Sequence, residues 1–380
     1  MTRQSPHAER DADYCWVDSQ SVLSELAEAL AADPLHALDT ESNSGFAYRE
    51  RLCLLQFNVG GSLWMVDLLA LPGDRGALAG LRMPLEAAGT RTLLHGGEFD
   101  VGCLKRDYDI ALGGVWDTQQ AASYLGWPRT GYGAVVEEIC GVSLDKAFAH
   151  YDWGRRPVSP APLSYAVDDV RYLPRIAEHL EREIDRADLA EELSIANQVV
   201  MGAAWSGRNG IEAIWRAKGV HKLPAESLPR LVALWEWREG VASIEDRPPG
   251  RVLNTQLLMA LARRAPRRES ELRSIGLRGR TLRYAGDLLG VLRRADERPP
   301  RVPEAPRGER STPGEAQCLK RLREWRRLEA ERRGVPQHVV LPPTAMQHLA
   351  RHGADQLESV PQLGEKRSRL YASRFLELCT

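Results

Sequence analysis

The chain has 380 residues and a mass of 42.4 kDa, with 43% hydrophobic and 27% charged side chains, a mean hydropathy of −0.37 and a net charge of −1. Such a chain is too long for one comfortable core and too apolar for global disorder, so two or three globular domains are expected. Its first residues are polar and no stretch approaches the roughly 18 apolar residues of a membrane span, so secretion and membrane insertion are excluded and a cytoplasmic protein is expected.

In chain order, a polar tail (1–14) leads into an amphipathic helix predicted over 16–31, with Pro34 beyond its end. Apolar runs at Leu35–Leu38, Leu52–Val59 and Leu63–Leu68 read as three opening strands, and the last two flank a Gly60-Gly61 turn as an antiparallel hairpin would. Short apolar runs at Thr90–Leu94 and Val115–Trp116 are each followed by helical periodicity, which makes the first half an α/β sandwich. Its last helix is predicted from about Ser164 into Glu183, kinked at Pro174.

From about residue 205 strand signals vanish, and Trp, Leu and Arg recur at helical spacing between proline-rich breaks at Pro248-Pro249 and over 298–313. An ungapped repeat runs through this half at an offset of 88 positions: Leu234-Trp235-Glu236-Trp237-Arg238 matches Leu322-Arg323-Glu324-Trp325-Arg326, and Leu261-Ala262-Arg263 matches Leu349-Ala350-Arg351. Two copies of one helical unit are implied, joined by a linker rich in Pro, Arg and Glu.

The small net charge conceals an asymmetry, because residues 1–200 carry 17 basic and 31 acidic side chains whereas the remainder carries 34 basic and 21 acidic. Carboxylates suit divalent cations and the planar fork of arginine suits phosphate, which makes nucleic acid a candidate partner. Interleaved charge on solvated helix faces accounts for part of the same pattern. The six cysteines (Cys15, Cys53, Cys103, Cys140, Cys318 and Cys379) are scattered without a CxxC pair. They read as thiols of a reducing compartment, most of them buried, and not as a disulfide frame or zinc knuckle.

Three acidic elements carry chemistry. Leu38-Asp39-Thr40-Glu41 ends an apolar strand with two carboxylates at i and i+2, which point to the same side. Asp100 closes the stretch Leu93-Leu94-His95-Gly96-Gly97-Glu98-Phe99-Asp100, where a buried strand runs through glycines into a helix; His95 reads as a strand-end histidine satisfied by the backbone. Tyr165 and Asp169 lie four apart on one helix face, with Asp168 turned away toward the surface.

In this order and with these flanks, the three elements resemble the DEDD exonuclease superfamily, specifically its tyrosine-bearing branch as found in ribonuclease D. Asp39 and Glu41 fall on its first motif, Asp100 on its second, and Tyr165 with Asp169 on its third. Val115-Trp116-Asp117-Thr118-Gln119, Ser143-Leu144-Asp145-Lys146, Asp152-Trp153 and Arg156-Pro157 extend the likeness over most of residues 20–185. The helical copies are similar to the helicase and RNase D C-terminal (HRDC) domain. One departure is the pair Gly96-Gly97, where the family more often couples a small residue or Asn with Ala or Gly.

The resemblance implies an α/β ribonuclease H-like exonuclease domain at 15–195, with a mixed sheet and helices on both faces. A connecting helical segment (196–223), two all-α HRDC-like bundles (224–295 and 312–380) and a linker (296–311) follow. It further implies a 3'-to-5' exoribonuclease acting on RNA 3' ends, with tRNA precursors as substrate and no obligate protein partner. Two Mg²⁺ or Mn²⁺ ions would be held by Asp39, Glu41, Asp100 and Asp169, while Tyr165 orients the attacking water; a phenol with an ordinary pKa near 10 is a poor base at pH 7. Arg263, Arg264, Arg267 and Arg268 form one candidate RNA-binding cluster and Arg321, Arg323, Arg326 and Arg327 another, each of which can equally be a solvated face. A DNA exonuclease of the same superfamily and an inactive RNA-binding adaptor remain as alternatives.

Overall fold

The structure is a computed structural model that describes residues 14–145, 147–205, 207, 210–306 and 312–379. Residues 1–13 of the expected polar tail, Lys146 and the last part of the expected linker lie outside the described residues.

Six strands form one mixed sheet in the order β1-β4-β3-β2-β5-β6. They are β1 (Cys15–Val17), β2 (Leu35–Ser42), β3 (Leu52–Val59), β4 (Ser62–Asp67), β5 (Arg91–Leu94) and β6 (Val115–Asp117). The β2–β3–β4 meander is antiparallel, whereas β1, β5 and β6 join parallel to their neighbours. The Gly60-Gly61 hairpin forms as expected, both glycines having the positive φ that a tight hairpin turn requires. Strand β1 replaces the start of the predicted first helix: three residues are too few to show a period, and only pairing with β4 (Cys15 opposite Trp64) reveals them as a strand.

Helix α1 (Gln20–Ala32), α2 (Ala79–Glu86) and α3 (Glu98–Tyr108) cover one face of the sheet, burying Leu23, Leu26, Leu81, Val101 and Leu104 against Leu38, Leu55, Phe57, Val66 and Leu94. The opposite face carries Ala37, Leu54, Met65, Leu93 and Trp116. It lies beneath α4 (Thr118–Tyr124), α5 (Tyr132–Cys140), α6 (Pro160–Arg171), α7 (Leu173–Arg186) and α8 (Ala190–Met201). The predicted kinked helix is two helices broken at Tyr172. Pro174 stands in the first turn of α7, where its missing N–H leaves no helical bond unmade. The side-chain amide of Asn58 donates to the carbonyls of Val170 (3.3 Å) and Arg171 (3.2 Å) and so closes the end of α6.

The helical half holds α9 (Leu228–Ile244), α10 (Pro249–Val252), α11 (Thr255–Arg264), α12 (Glu269–Ile275) and α13 (Ala285–Glu297), then α14 (Pro313–Arg333), α15 (Gln337–Val340), α16 (Pro343–His352) and α17 (Glu365–Cys379). The repeat shows in its internal contacts. Arg238 donates to the carbonyl of Leu253 and Arg326 to that of Leu341, equivalent atoms at the same offset. The chain forms two compact units: one comprises the sheet domain, without Asn43–Arg51, together with the second helical copy; the other comprises the first copy with that loop. Within the latter, Asp246 accepts the backbone N–H groups of Tyr48 (3.1 Å) and Arg49 (2.9 Å), and the Arg251 guanidinium lies over Phe46.

Candidate active site

Strand alternation decides which way the first acidic pair faces. Ala37 belongs to the core under α4–α8 and Leu38 to the core under α1–α3, so Asp39 and Glu41 share the α6 face while Thr40 shares the α3 face. From α6, Tyr165 and Asp169 approach that same pair. Single carboxylate oxygens of Asp39, Glu41 and Asp169 lie within 4.8 Å of one another. Asp168 turns aside into an ion pair with Arg171 at 2.9 Å.

Asp100 comes from the other layer. It occupies the first turn of α3, is 8% exposed, and accepts a 2.5 Å hydrogen bond at Oδ1 from the Thr40 hydroxyl. The turn delivering it depends on both glycines. Gly96 has φ +71°, and a Cβ on Gly97 would stand 2.4 Å from the Leu94 side chain. Their N–H groups donate to the two oxygens of Asp117, at 3.1 Å from Gly96 and 2.8 Å from Gly97. Asp117 also caps α4 by accepting from the backbone of Gln119 and Gln120, and it is fully buried. Asp117, a positioning residue, was visible in the sequence only as part of a motif flank. His95 bonds the Thr118 hydroxyl through Nδ1 at 2.8 Å beside a backbone contact with Thr130, and burial pushes its pKa down to about 4.

Crowding shapes the electrostatics. Burial, then the charges of Asp169 and Asp100, lift the Glu41 carboxyl to about 9. Burial followed by Asp168 and Asp100 lifts Asp169 to about 7. For Asp100 burial dominates and the Thr40 hydroxyl opposes it, leaving about 6; Asp39 is raised by burial and by all three partners. Among the described residues no cationic side chain offsets any of these four. An oxygen-only donor set with uncompensated charge suits a hard divalent cation. The Tyr165 phenol is raised by burial and by Asp169, so it is protonated at neutral pH. Beside it opens a cleft of about 470 Å³ lined by Tyr132, Leu144, Phe148, Ala161, Tyr165 and Asp169.

The arginine candidates separate by environment. Arg263 and Arg264 are exposed at the end of α11, and Arg267 and Arg268 are exposed just beyond it, Arg268 paired with Glu271 at 2.8 Å. On α14, Arg323 is exposed, whereas Arg327 is bound by Glu324 and Glu331 at 2.7 Å each. Arg326 turns inward to the Leu341 carbonyl, and Arg321 has its Nε buried.

A 3'-5' exonuclease family model matches residues 14–185, and an HRDC domain model matches 227–292 and 315–379. Ribonuclease D of Xanthomonas oryzae is 30% identical over 259 residues, covering 66% of this chain and 68% of that protein. Ribonuclease D of Pseudomonas paraeruginosa is 29% identical over 342 residues, 89% of each chain. Among solved structures, Escherichia coli RNase D, described as an exoribonuclease involved in structured RNA processing, superposes with a TM-score of 0.71. It is 25% identical, over 96% of this chain and 98% of that one.

Proposed function

The chain belongs to the ribonuclease D family and is a metal-dependent 3'-5' exoribonuclease, and from that premise we propose that it trims the 3' ends of structured RNA, tRNA precursors above all, by two-ion hydrolysis. The observation that carries this reading is the convergence of Asp39, Glu41 and Asp169, with Asp100 fastened beside them and, among the described residues, no cationic side chain as a leading influence on any of the four.

Asp39, Glu41 and Asp169 would hold one divalent ion, and Asp39 with Asp100 the other. When bound, the two ions supply an activated water at neutral pH and stabilise charge on the leaving 3' oxygen. The chain's own groups do the rest. Tyr165, protonated, holds the attacking water by hydrogen bonding and does not abstract its proton. The cleft beside Tyr165 takes the terminal nucleotide, its apolar wall of Leu144 and Phe148 excluding water from the base. Because the reacting groups contact phosphate and not the base, little sequence preference is expected.

One assay tests the reading: 5'-labelled RNA and 5'-labelled DNA of one sequence, incubated with Mn²⁺ and wild-type chain or Asp39→Asn. Stepwise shortening of RNA alone, abolished by the substitution, is expected. Equal shortening of DNA would make the enzyme a general 3'-5' exonuclease, and binding without shortening would make it an adaptor.

A further inference from the structure

We propose that Thr40, the residue between the two acids of the first motif, is a positioning residue that sets the orientation of Asp100 through its hydroxyl. The inference rests on the ion-binding role proposed for the carboxylate cluster.

The geometry states the need. The cluster is assembled from two opposite layers of the sandwich: Asp169 descends from α6 on one face of the sheet, and Asp100 rises from α3 on the other. Asp39 and Glu41 point to the α6 side, so neither can fasten a group arriving from the α3 side. Thr40 points to the α3 side by strand alternation, and its Oγ1 donates to Asp100 Oδ1 at 2.5 Å across 60 residues of sequence. Both groups are buried, Thr40 at 7% and Asp100 at 8% exposure, so water does not compete for this hydrogen bond. A hydroxyl bonded to an ionised carboxylate makes a short, strong and directional contact. With Oδ1 held in this way, and with backbone hydrogen bonds from Asp100 and Thr40 also on its carboxylate, Asp100 is turned toward the strand that carries the acidic pair. An apolar side chain at 40 would leave only those backbone contacts to orient Asp100, without the hydroxyl that fixes Oδ1.

The test uses the full chain in three variants: Thr40→Val, which keeps the shape and loses the hydroxyl; Thr40→Ser, which keeps the hydroxyl and loses the methyl; and Thr40→Ala, which loses both. Two properties are read for each. One is Mn²⁺ affinity, followed by the electron spin resonance of free ion. The other is kcat and KM on 5'-labelled RNA, with melting in EDTA as the measure of folding. Thr40→Val and Thr40→Ala are expected to weaken Mn²⁺ binding and lower kcat by about tenfold each with KM within about twofold, the scale of a lost supporting contact at a metal site. Thr40→Ser should stay within about twofold of wild type. If Thr40→Val lowers the EDTA melting point, the Ser and Ala pair still isolates the hydroxyl. The inference is overturned if Thr40→Val binds Mn²⁺ and turns over like wild type, or if Ser is as defective as Ala. A wild-type chain that binds no Mn²⁺ and leaves RNA intact overturns the proposed site instead, which keeps the two failures distinct.

Discussion

Glu41 and Asp169 hold protons at pH values where free carboxylic acids have lost them, at about 9 and about 7 respectively. Burial is the first cause in both and the neighbouring acids are the second, so the metal-free fold is strained by its own ionisation. The sign follows from linkage. The folded pKa lies above the unfolded value near 4, so the folded state binds more protons between the two. These groups therefore favour folding most below about pH 4, and that contribution is lost as pH rises through about 6 for Asp100, 7 for Asp169 and 9 for Glu41. Melting in EDTA is expected to fall between pH 5.5 and pH 8.5. Mn²⁺ should raise the midpoint most at the upper end, where its ligands are deprotonated. Asp169→Asn gives the same physics by substitution: in EDTA at pH 8 it should melt several degrees above wild type, lose the shift with Mn²⁺, and cleave no RNA. A variant that melts lower in EDTA and still responds to Mn²⁺ would contradict the cluster as a repulsive ion site.

Asp117 binds three elements at once, the end of β6, the turn before α3 and the first turn of α4, by accepting four backbone N–H groups while fully buried. Asp117→Ala leaves those donors without a partner and should destabilise by about 2–4 kcal/mol in urea unfolding, the sum of a lost cap and an unsatisfied buried turn. The loss of cleavage should exceed what unfolding alone explains, because the turn carries Asp100. How much of this was legible in the sequence varies with the range of the contact. The pair Asp39 and Glu41 was legible because strand period is local, and Tyr165 with Asp169 because helix period is local. The Thr40 to Asp100 bond spans 60 residues, and no local period encodes it. Arg326 looked like one of four surface arginines, yet its counterpart Arg238, at the repeat offset, makes the same inward bond and is 3% exposed. Repeat register held that information and composition hid it. The same distinction predicts unequal roles for the arginines. Arg263→Glu with Arg264→Glu, on exposed ends of α11, should weaken RNA binding and lower the salt slope by about 2. Arg327→Ala, which removes a side chain already neutralised by Glu324 and Glu331, should change neither in the same filter-binding titration.

At the scale of the whole molecule, two copies of one helical design have different surroundings, because the second shares a compact unit with the sheet domain and the first does not. The sequence repeat predicts the two bundles equally and is silent on this difference, which rests on positions where the copies differ: Val339, His338 and Arg367 stand where the first copy has Arg251, Gly250 and Gly279. Glu191 of α8 accepts the backbone N–H of Lys366 at 3.0 Å, capping α17, while the Lys366 ammonium reaches Asp188 at 3.0 Å and Glu192 at 3.3 Å. Val339 of α15 lies in the core beneath α4–α8, and His338 stands edge-on to Tyr124 with ring centres 4.8 Å apart. At the centre is Arg367, 1% exposed, donating to the carbonyls of Val339, Gln362 and Leu363, with Glu192 and Tyr124 as its electrostatic partners. A buried cation so placed braces the second copy through three of that copy's own carbonyls and meets the nuclease at Glu192 and Tyr124, so its removal strands the carbonyls and leaves the buried Glu192 with less compensating charge. Arg367→Ala should therefore destabilise by about 2–4 kcal/mol, the scale of buried carbonyls left without a donor. The readout is exonuclease activity remaining after a series of brief heat steps, compared with Arg374→Ala on the exposed side of the same helix, where the Glu377 pair at 2.6 Å is solvated and worth little. Arg367→Ala is expected to lose activity several degrees below wild type and Arg374→Ala at the wild-type temperature. Coincident inactivation of all three chains would mean that the second bundle adds nothing to the stability of the site.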